Sequence, residues 1–327
     1  MKQSWITGID VSKNTLDVCI KPSGISLKVA NNRKGFQELI RELEKLSDLT
    51  AGLVVMEHTG RYSLVLEAFL RDNKIAYCKV PALQIKRSIG LIRGKNDRID
   101  AVRIAGYGWL HRESLRPTLP ASERIQELRN LFSLRKKLVS DKSGYQCRLK
   151  ECVCAGGKKT DYEYKIATKT IAFFEKQIAV LDEQIKHLID TDPSLQATYH
   201  LLVSIKGIGR IIAVYMICCT ENFTRFDNAR KFNCYSGIAP FDHQSGTSIR
   251  AKARVSHLAN KEAKTLLNLA AFSAIQSNPE IKAYYKRRVA EGKNKMSCIN
   301  IVRAKLVARM FAVVKRQQPY QALTCAA

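Results

Sequence analysis

Apolar positions in the first third of the chain recur with two periods. The runs SWITGID (residues 4–10) and TLDVCI (15–20) are short and bounded by polar turns, and ISLKVAN follows, so three strands are predicted. From Arg33 to Leu46 the period lengthens, with Phe36, Leu39, Ile40 and Leu43 on one helical face. AGLVVME is a continuous apolar run too short for a helix and reads as a buried strand. A second helix from about Ser63 to Asn73, a strand IAYCKV ending at Pro81, and a helix Asp97–Leu110 with Ile99, Val102, Ile104 and Ala105 inward follow in order. Pro117 to Pro120 closes this α/β domain.

From Ala121 the pattern is one of long helices. Ile171, Phe174, Ile178, Leu181, Ile185 and Leu188 alternate spacings of three and four, the heptad seam of a coiled coil. A weaker run, Ile125, Leu128, Phe132 and Leu138, precedes a break at Gly156 and Gly157. The two runs either fold back as a helical hairpin or zip two protomers together, and a dimerisation arm is the expectation. After Asp192-Pro193 the chain is mainly helical and basic. The organisation expected is α/β plus α: a domain over 1–118, a coiled-coil arm over 119–195 and a mainly helical domain over 196–327.

Charge narrows the partners. Fifty-five Lys and Arg against 29 Asp and Glu give a formal net charge of +26 over 327 residues, which points to a polyanion and first of all to nucleic acid. A membrane partner is disfavoured, because no apolar run approaches the roughly 20 residues of a spanning helix and the basic residues are spread along the chain. The start MKQSWITGIDVSKN does not read as a signal peptide. Ten scattered cysteines read as reduced cytoplasmic thiols. Cys147, Cys152 and Cys154 lack the C-x-x-C spacing of a zinc site, and Cys218 and Cys219 fall in an apolar run as core residues.

Candidate chemistry begins with the acids. Asp10 closes the first strand, Glu57 closes the buried strand, and Asp97 and Asp100 lie three apart at a helix start. Four converging carboxylates repel unless a divalent cation sits among them, and oxygen-only ligands select Mg²⁺ or Mn²⁺. Such ions can clamp a phosphodiester. Taken alone, Asp97 reads as a helix N-cap, and Asp17 and Glu42 read as solvated surface residues. In the second half, residues 201–215 fit a helix, a Gly207-Ile208-Gly209 turn and another helix, a pattern that binds nucleic-acid backbone when the glycines let a phosphate approach. Ser245 lies in what reads as a polar loop and by itself suggests only a turn. Arg250, Lys252, Arg254, Lys286, Arg287, Arg288, Lys293, Lys295, Arg303, Lys305 and Arg309 are candidates to neutralise phosphates, with Tyr284 and Tyr285 among them to stack on bases or pack between helices.

Four motifs in order, Gly8-Ile9-Asp10-Val11-Ser12-Lys13, Glu57-His58-Thr59-Gly60-Arg61-Tyr62, Val80-Pro81-Ala82 and Lys95-Asn96-Asp97-Arg98-Ile99-Asp100-Ala101, resemble the RuvC-like DEDD domain of the insertion-sequence 110 family of transposases, which includes Piv-type DNA invertases. Gly237-Ile238-Ala239-Pro240 followed by Ser245-Gly246 resembles the second, transposase domain of that family. The resemblance implies a ribonuclease-H-like N-terminal domain holding magnesium on Asp10, Glu57, Asp97 and Asp100. It further implies Ser245 as a nucleophile forming a phosphoserine with DNA, the acids and the serine coming from different protomers. Double-stranded donor and target DNA, a structured bridge RNA, a dimeric to tetrameric assembly and a cytoplasmic, nucleoid-associated location are implied as well. Where the family shows Ser-Lys-x-Gly and a Leu-Arg pair, this chain reads Ser256-His257-Leu258-Ala259 and Lys264-Thr265-Leu266-Leu267. The residues alone leave two other readings: a hydrolytic, Holliday-junction-resolving nuclease that uses the acids and water, and a non-enzymatic nucleic-acid-binding protein.

Overall fold

The computed structural model describes residues 3–45, 48–58, 60–88, 96–118, 122–245 and 249–321, and the side chains of 243–252 lie outside the described residues. The chain divides into two units, Met1–Pro120 and Ala121–Ala327.

In the first unit, strands β1 (Trp5–Val11), β2 (Thr15–Lys21), β3 (Ser26–Ala30), β4 (Gly52–Glu57) and β5 (Tyr77–Val80) form one mixed sheet in the order β3-β2-β1-β4-β5. The β1-β2 and β2-β3 pairs are antiparallel, and β4 runs parallel to both β1 and β5. Helices α1 (Arg33–Glu44) and α2 (Leu64–Asp72) cover one face, where Phe36, Leu39, Leu66 and Leu70 pack on Ile9, Leu16, Val54 and Met56. α3 (Ala82–Ser88), a short helix that the sequence pattern does not announce, and α4 (Asp97–Leu110) lie on the other. Covering both faces explains why the central strands read as apolar runs rather than alternations.

The α4 face departs from the periodicity-based expectation. Ile99 and Val102 are 37% and 40% exposed, and the inward positions are Ala101, Ile104, Ala105 and Gly108. The reason is distance. A β-carbon at Gly8 on β1 would stand 2.1 Å from the Ala105 amide nitrogen and 2.7 Å from the Ala101 carbonyl oxygen. Helix and strand therefore meet backbone to backbone, and only small side chains fit between them.

The second unit opens with α5 (Glu123–Cys154) and α6 (Tyr162–Asp190), which pack along each other within the chain, so the fold-back alternative is realised. Ion pairs Arg135–Asp182 at 2.7 Å, Lys142–Glu175 at 3.6 Å and Arg148–Glu163 at 2.8 Å mark the antiparallel register. At the base of this hairpin Ile125, Leu128, Ile185 and Leu188 join a core with α7 (Pro193–Val203), α8 (Arg210–Thr220), α9 (Ala229–Tyr235), α10 (Lys261–Ser277), α11 (Pro279–Ala290) and α12 (Lys295–Arg316). Asp182 also receives Arg210, the first residue of α8, at 2.9 Å. Cys218 is buried in this core and Cys219 half-buried. Among the described residues no helix is long and apolar enough to cross a membrane.

The sequence pattern does not announce one strand pair in this unit. Pro240–Ser245 (β6) and Ile249–Val255 (β7) pair antiparallel, with Ser245 opposite Ile249 and a register shift between Phe241 and His243.

Candidate active site

Strand register places the acids. Asp10 pairs with Asp17 across β1-β2, and Asp17 pairs with Lys28 across β2-β3. On the other side of β1 the parallel register runs to Ile9–Met56, so Asp10 and Glu57 come next, level with each other. Directly opposed residues share a sheet face, and alternation puts Lys28, Asp17, Asp10 and Glu57 on the face that α4 covers. The four form a row across one end of the sheet. α4 packs over β1 and β2, with Ala101 and Ala105 against Cys19, so its first turn, carrying Asp97 and Asp100, lies toward that same end.

The N-cap of α4 is Asn96, whose side chain accepts from the Ile99 amide at 2.8 Å. Asp97 therefore stands inside the helix instead of capping it. Asp100 is held by Arg103 at 2.8 Å, a turn away on the same helix. Burial, and after it the charges of Asp97, Asp100, Glu57 and Asp17, push the Asp10 carboxyl up to about 6.

An all-carboxylate donor set matches a hard divalent cation, and repulsion focused on Asp10 is the charge pattern that such an ion relieves. Among the described residues, no three His, Cys, Asp or Glu side chains are already gathered closely enough to hold one ion. The ion pair to Arg103 turns one of the candidate carboxylates to another partner.

Asp17 is where sequence reasoning missed. It is 7% exposed rather than solvated. No local sequence signal marks it: Asp17 and Cys19 share a face of β2, and it is the observed β1-β2 register that brings that face level with Gly8 and Asp10.

In the second unit, the backbone of Ser245 ends β6. Its side chain, with those of Arg250 and Lys252, lies outside the described residues, as do Thr59, Lys95 and Gly246 of the motifs; Arg254 on β7 is exposed. Gly207 has a φ of +100°, and a β-carbon there would meet Ala274 of α10 at 2.5 Å, so its open side is filled by helix packing rather than by a ligand. Gly209, the N-cap of α8, has nothing within 4 Å on that side. Several of the candidate phosphate contacts are engaged internally, Arg288 with Glu291 at 2.6 Å among them. Arg303 is 4% exposed and bonds to Asn268 and Asn300, while Arg309 pairs with Glu280 at 2.6 Å. Tyr284 is ringed by Lys305 at 4.5 Å, Arg287 at 5.6 Å and Arg288 at 5.9 Å, a cation–π cluster in place of a bare stacking platform.

Two family models match the chain, in the order in which it presents these features. One, a DEDD transposase model described as Transposase, matches residues 7–154, and one described as Transposase IS116/IS110/IS902 family matches residues 199–286. The pilin gene-inverting proteins of Moraxella bovis and Moraxella lacunata are each 27% identical over 333 residues, covering 98% of this chain and 98% of the relative. A 43.6 kDa protein of insertion element IS110 from Streptomyces coelicolor is 27% identical over 150 residues, which is 46% of this chain and 36% of that protein. The first model spans the acidic sheet and the second spans the β6–β7 hairpin, and the chain belongs to the insertion-sequence 110 family of transposases, as a DNA recombinase.

Proposed function

We propose that this recombinase exchanges DNA strands at specific sites by a covalent route in which Ser245 is the nucleophile and Asp10, Glu57, Asp97 and Asp100 form its acidic site. The observation that carries the acidic half is the row of carboxylates at one sheet end, with Asp10 at its centre held up near 6 by burial and then by the charges of the neighbouring acids. In this reading the first unit is a ribonuclease-H-like, RuvC-like domain, supported by the strand order and by acids on the central strand, on its parallel neighbour and on a later helix. The four acids would hold Mg²⁺ or Mn²⁺, which when bound stabilises charge on the phosphate under attack.

Ser245 gives up its hydroxyl proton as its oxygen bonds to phosphorus. One strand oxygen leaves and takes a proton, and the phosphoester energy stays in the Ser245–O–P linkage. Attack by another strand's hydroxyl reverses the step, so joining needs no nucleotide cofactor. The basic surface, including Arg254 and the Tyr284 cluster, supplies salt-dependent attraction for double-stranded DNA and for the structured guide RNA that the family resemblance implies. Self-association through the exposed side of α6, where Ile166, Phe173 and Val180 recur every seven residues, accords with a dimeric arm.

Ser245→Ala tests the covalent route. On a plasmid carrying the sites in inverted orientation, the variant is expected to lose joined products and any protein–DNA adduct that survives denaturation. Cleavage that persists without an adduct would instead assign a hydrolytic nuclease. Inversion of a segment is the second reading within the family, favoured because the gene-inverting relatives align over 98% of both chains. The same plasmid reports it as a change of orientation without loss of DNA.

A further inference from the structure

We infer that Asp17 is a fifth member of the acidic site, supplying negative charge to a bound divalent cation, and that Lys28 is its counter-ion while no cation is there. The inference rests on the metal-holding role proposed for Asp10 and its neighbours, and it deepens that role.

Burial comes first. Asp17 is 7% exposed, in the middle of a strand, where a β-branched residue would pair better. A buried carboxylate is costly unless it is fully bonded. One of its oxygens, Oδ2, is buried with no hydrogen-bond partner, and its contact with Lys28 is an ion pair at 3.3 Å whose partner ammonium side chain is 57% exposed. That is a weak hold on a buried charge.

Placement comes second. Asp17 lies directly across from Asp10, and like charges directly opposed in a sheet destabilise it. Packing would therefore be better served by almost any neutral side chain at either position. The arrangement becomes favourable once a cation lies at that end of the sheet, because both carboxylates then face an opposite charge. Asp100 is arranged in a parallel way, neutralised by Arg103 as Asp17 is by Lys28. Each acid is thus paired with a basic side chain that a cation can replace. Mg²⁺ keeps several of its waters, so Asp17 can act through a water without displacing the other acids as ligands.

The signs of two substitutions separate this role from a structural one. Asp17→Asn removes a negative charge of nearly unchanged shape and is expected to weaken Mn²⁺ or Mg²⁺ binding by roughly tenfold, within the range of outer-shell changes at metal sites. Lys28→Met removes a competing positive charge and is expected to tighten binding by about twofold to threefold. A purely structural pair would weaken binding in both variants. The measurement is calorimetric titration of the full-length protein with MnCl₂ in the absence of DNA, with circular dichroism to establish that each variant is folded. Lys28→Met, altering a largely exposed side chain, remains informative if Asp17→Asn fails to fold. If the native protein binds the ion, Asp10→Asn abolishes binding and both test variants bind as the native protein does, the inference about Asp17 is overturned and the metal site stands. Weaker binding in Lys28→Met likewise overturns it. If the native protein binds no ion, the metal-site reading itself fails.

Discussion

Asp10→Asn is expected to lower strand exchange by roughly three orders of magnitude, about 4 kcal/mol of transition-state stabilisation, and yet to make the cation-free protein more stable at pH 7.5. The opposite signs follow from one cause. The folded protein binds a proton at Asp10 more tightly than the unfolded chain does, since the carboxyl is raised from 3.8 to about 6. Between those values the native state holds more protons, so its stability falls as pH rises through about 6 and stays low above it. The full shift corresponds to about 3 kcal/mol, and partial solvation of Asp10 reduces this to roughly 1–2 kcal/mol. Urea unfolding in EDTA should therefore show the variant above the native protein at pH 7.5 and level with it near pH 4. Adding Mg²⁺ should stabilise the native protein at pH 7.5 and the variant far less. A variant that is inactive and also less stable at pH 7.5 would mean that Asp10 is a structural residue.

The second large effect is expected at Gly8. Gly8→Ala should destabilise the first unit by about 3–5 kcal/mol, because the added methyl would sit 2.1 Å from a backbone nitrogen of α4, where no side chain can turn aside. Any relief must come from α4 moving off the sheet, and that carries Asp97 and Asp100 away from Asp10. Gly106, in the same helix, has nothing within 4 Å of its would-be β-carbon. Gly106→Ala should stabilise by about 0.5–1 kcal/mol through helix propensity alone. Urea unfolding followed by tryptophan fluorescence reads both, with Trp5 buried in β1 as a reporter. Equal effects at the two glycines would mean that the close approach at Gly8 is not what seats the helix.

The same contact explains which parts of the fold were legible in the sequence. Strands β1, β2 and β4 announce themselves as short apolar runs, and α1 as a single clean stripe. α4 offers large apolar residues at Ile99 and Val102 and small ones at Ala101, Ala105 and Gly108. Counting hydrophobicity favours the large ones, but the sheet accepts the small ones because Gly8 leaves no depth beneath them. Local patterns do not carry that information; it depends on which strand lies opposite. That Asp10 and Glu57 share a sheet end is readable from two apolar runs that each lead into an acid. Asp17 is not readable in this way, since in sequence it resembles any polar residue of a half-exposed strand. Only the β1-β2 register and the α4 cover show that it is enclosed. β6 and β7 went unread because PFDHQS and IRAKARV carry little apolar alternation. The α7–α8 turn shows the converse case: its G-I-G is legible as a turn, while the packing of Gly207 on Ala274 becomes visible only in three dimensions.

Asp182 has a consequence for the helical hairpin. Its two oxygens take Arg135 from α5 and Arg210 from the start of α8, so one carboxylate couples the root of the helical hairpin to the Gly207–Gly209 turn. Beyond that point toward the tip, the α5–α6 pairs Lys142–Glu175 and Arg148–Glu163 are more exposed and individually worth little. The ionic contacts of the hairpin are thus concentrated at its root, where a single carboxylate links three helices, and thin out toward its tip.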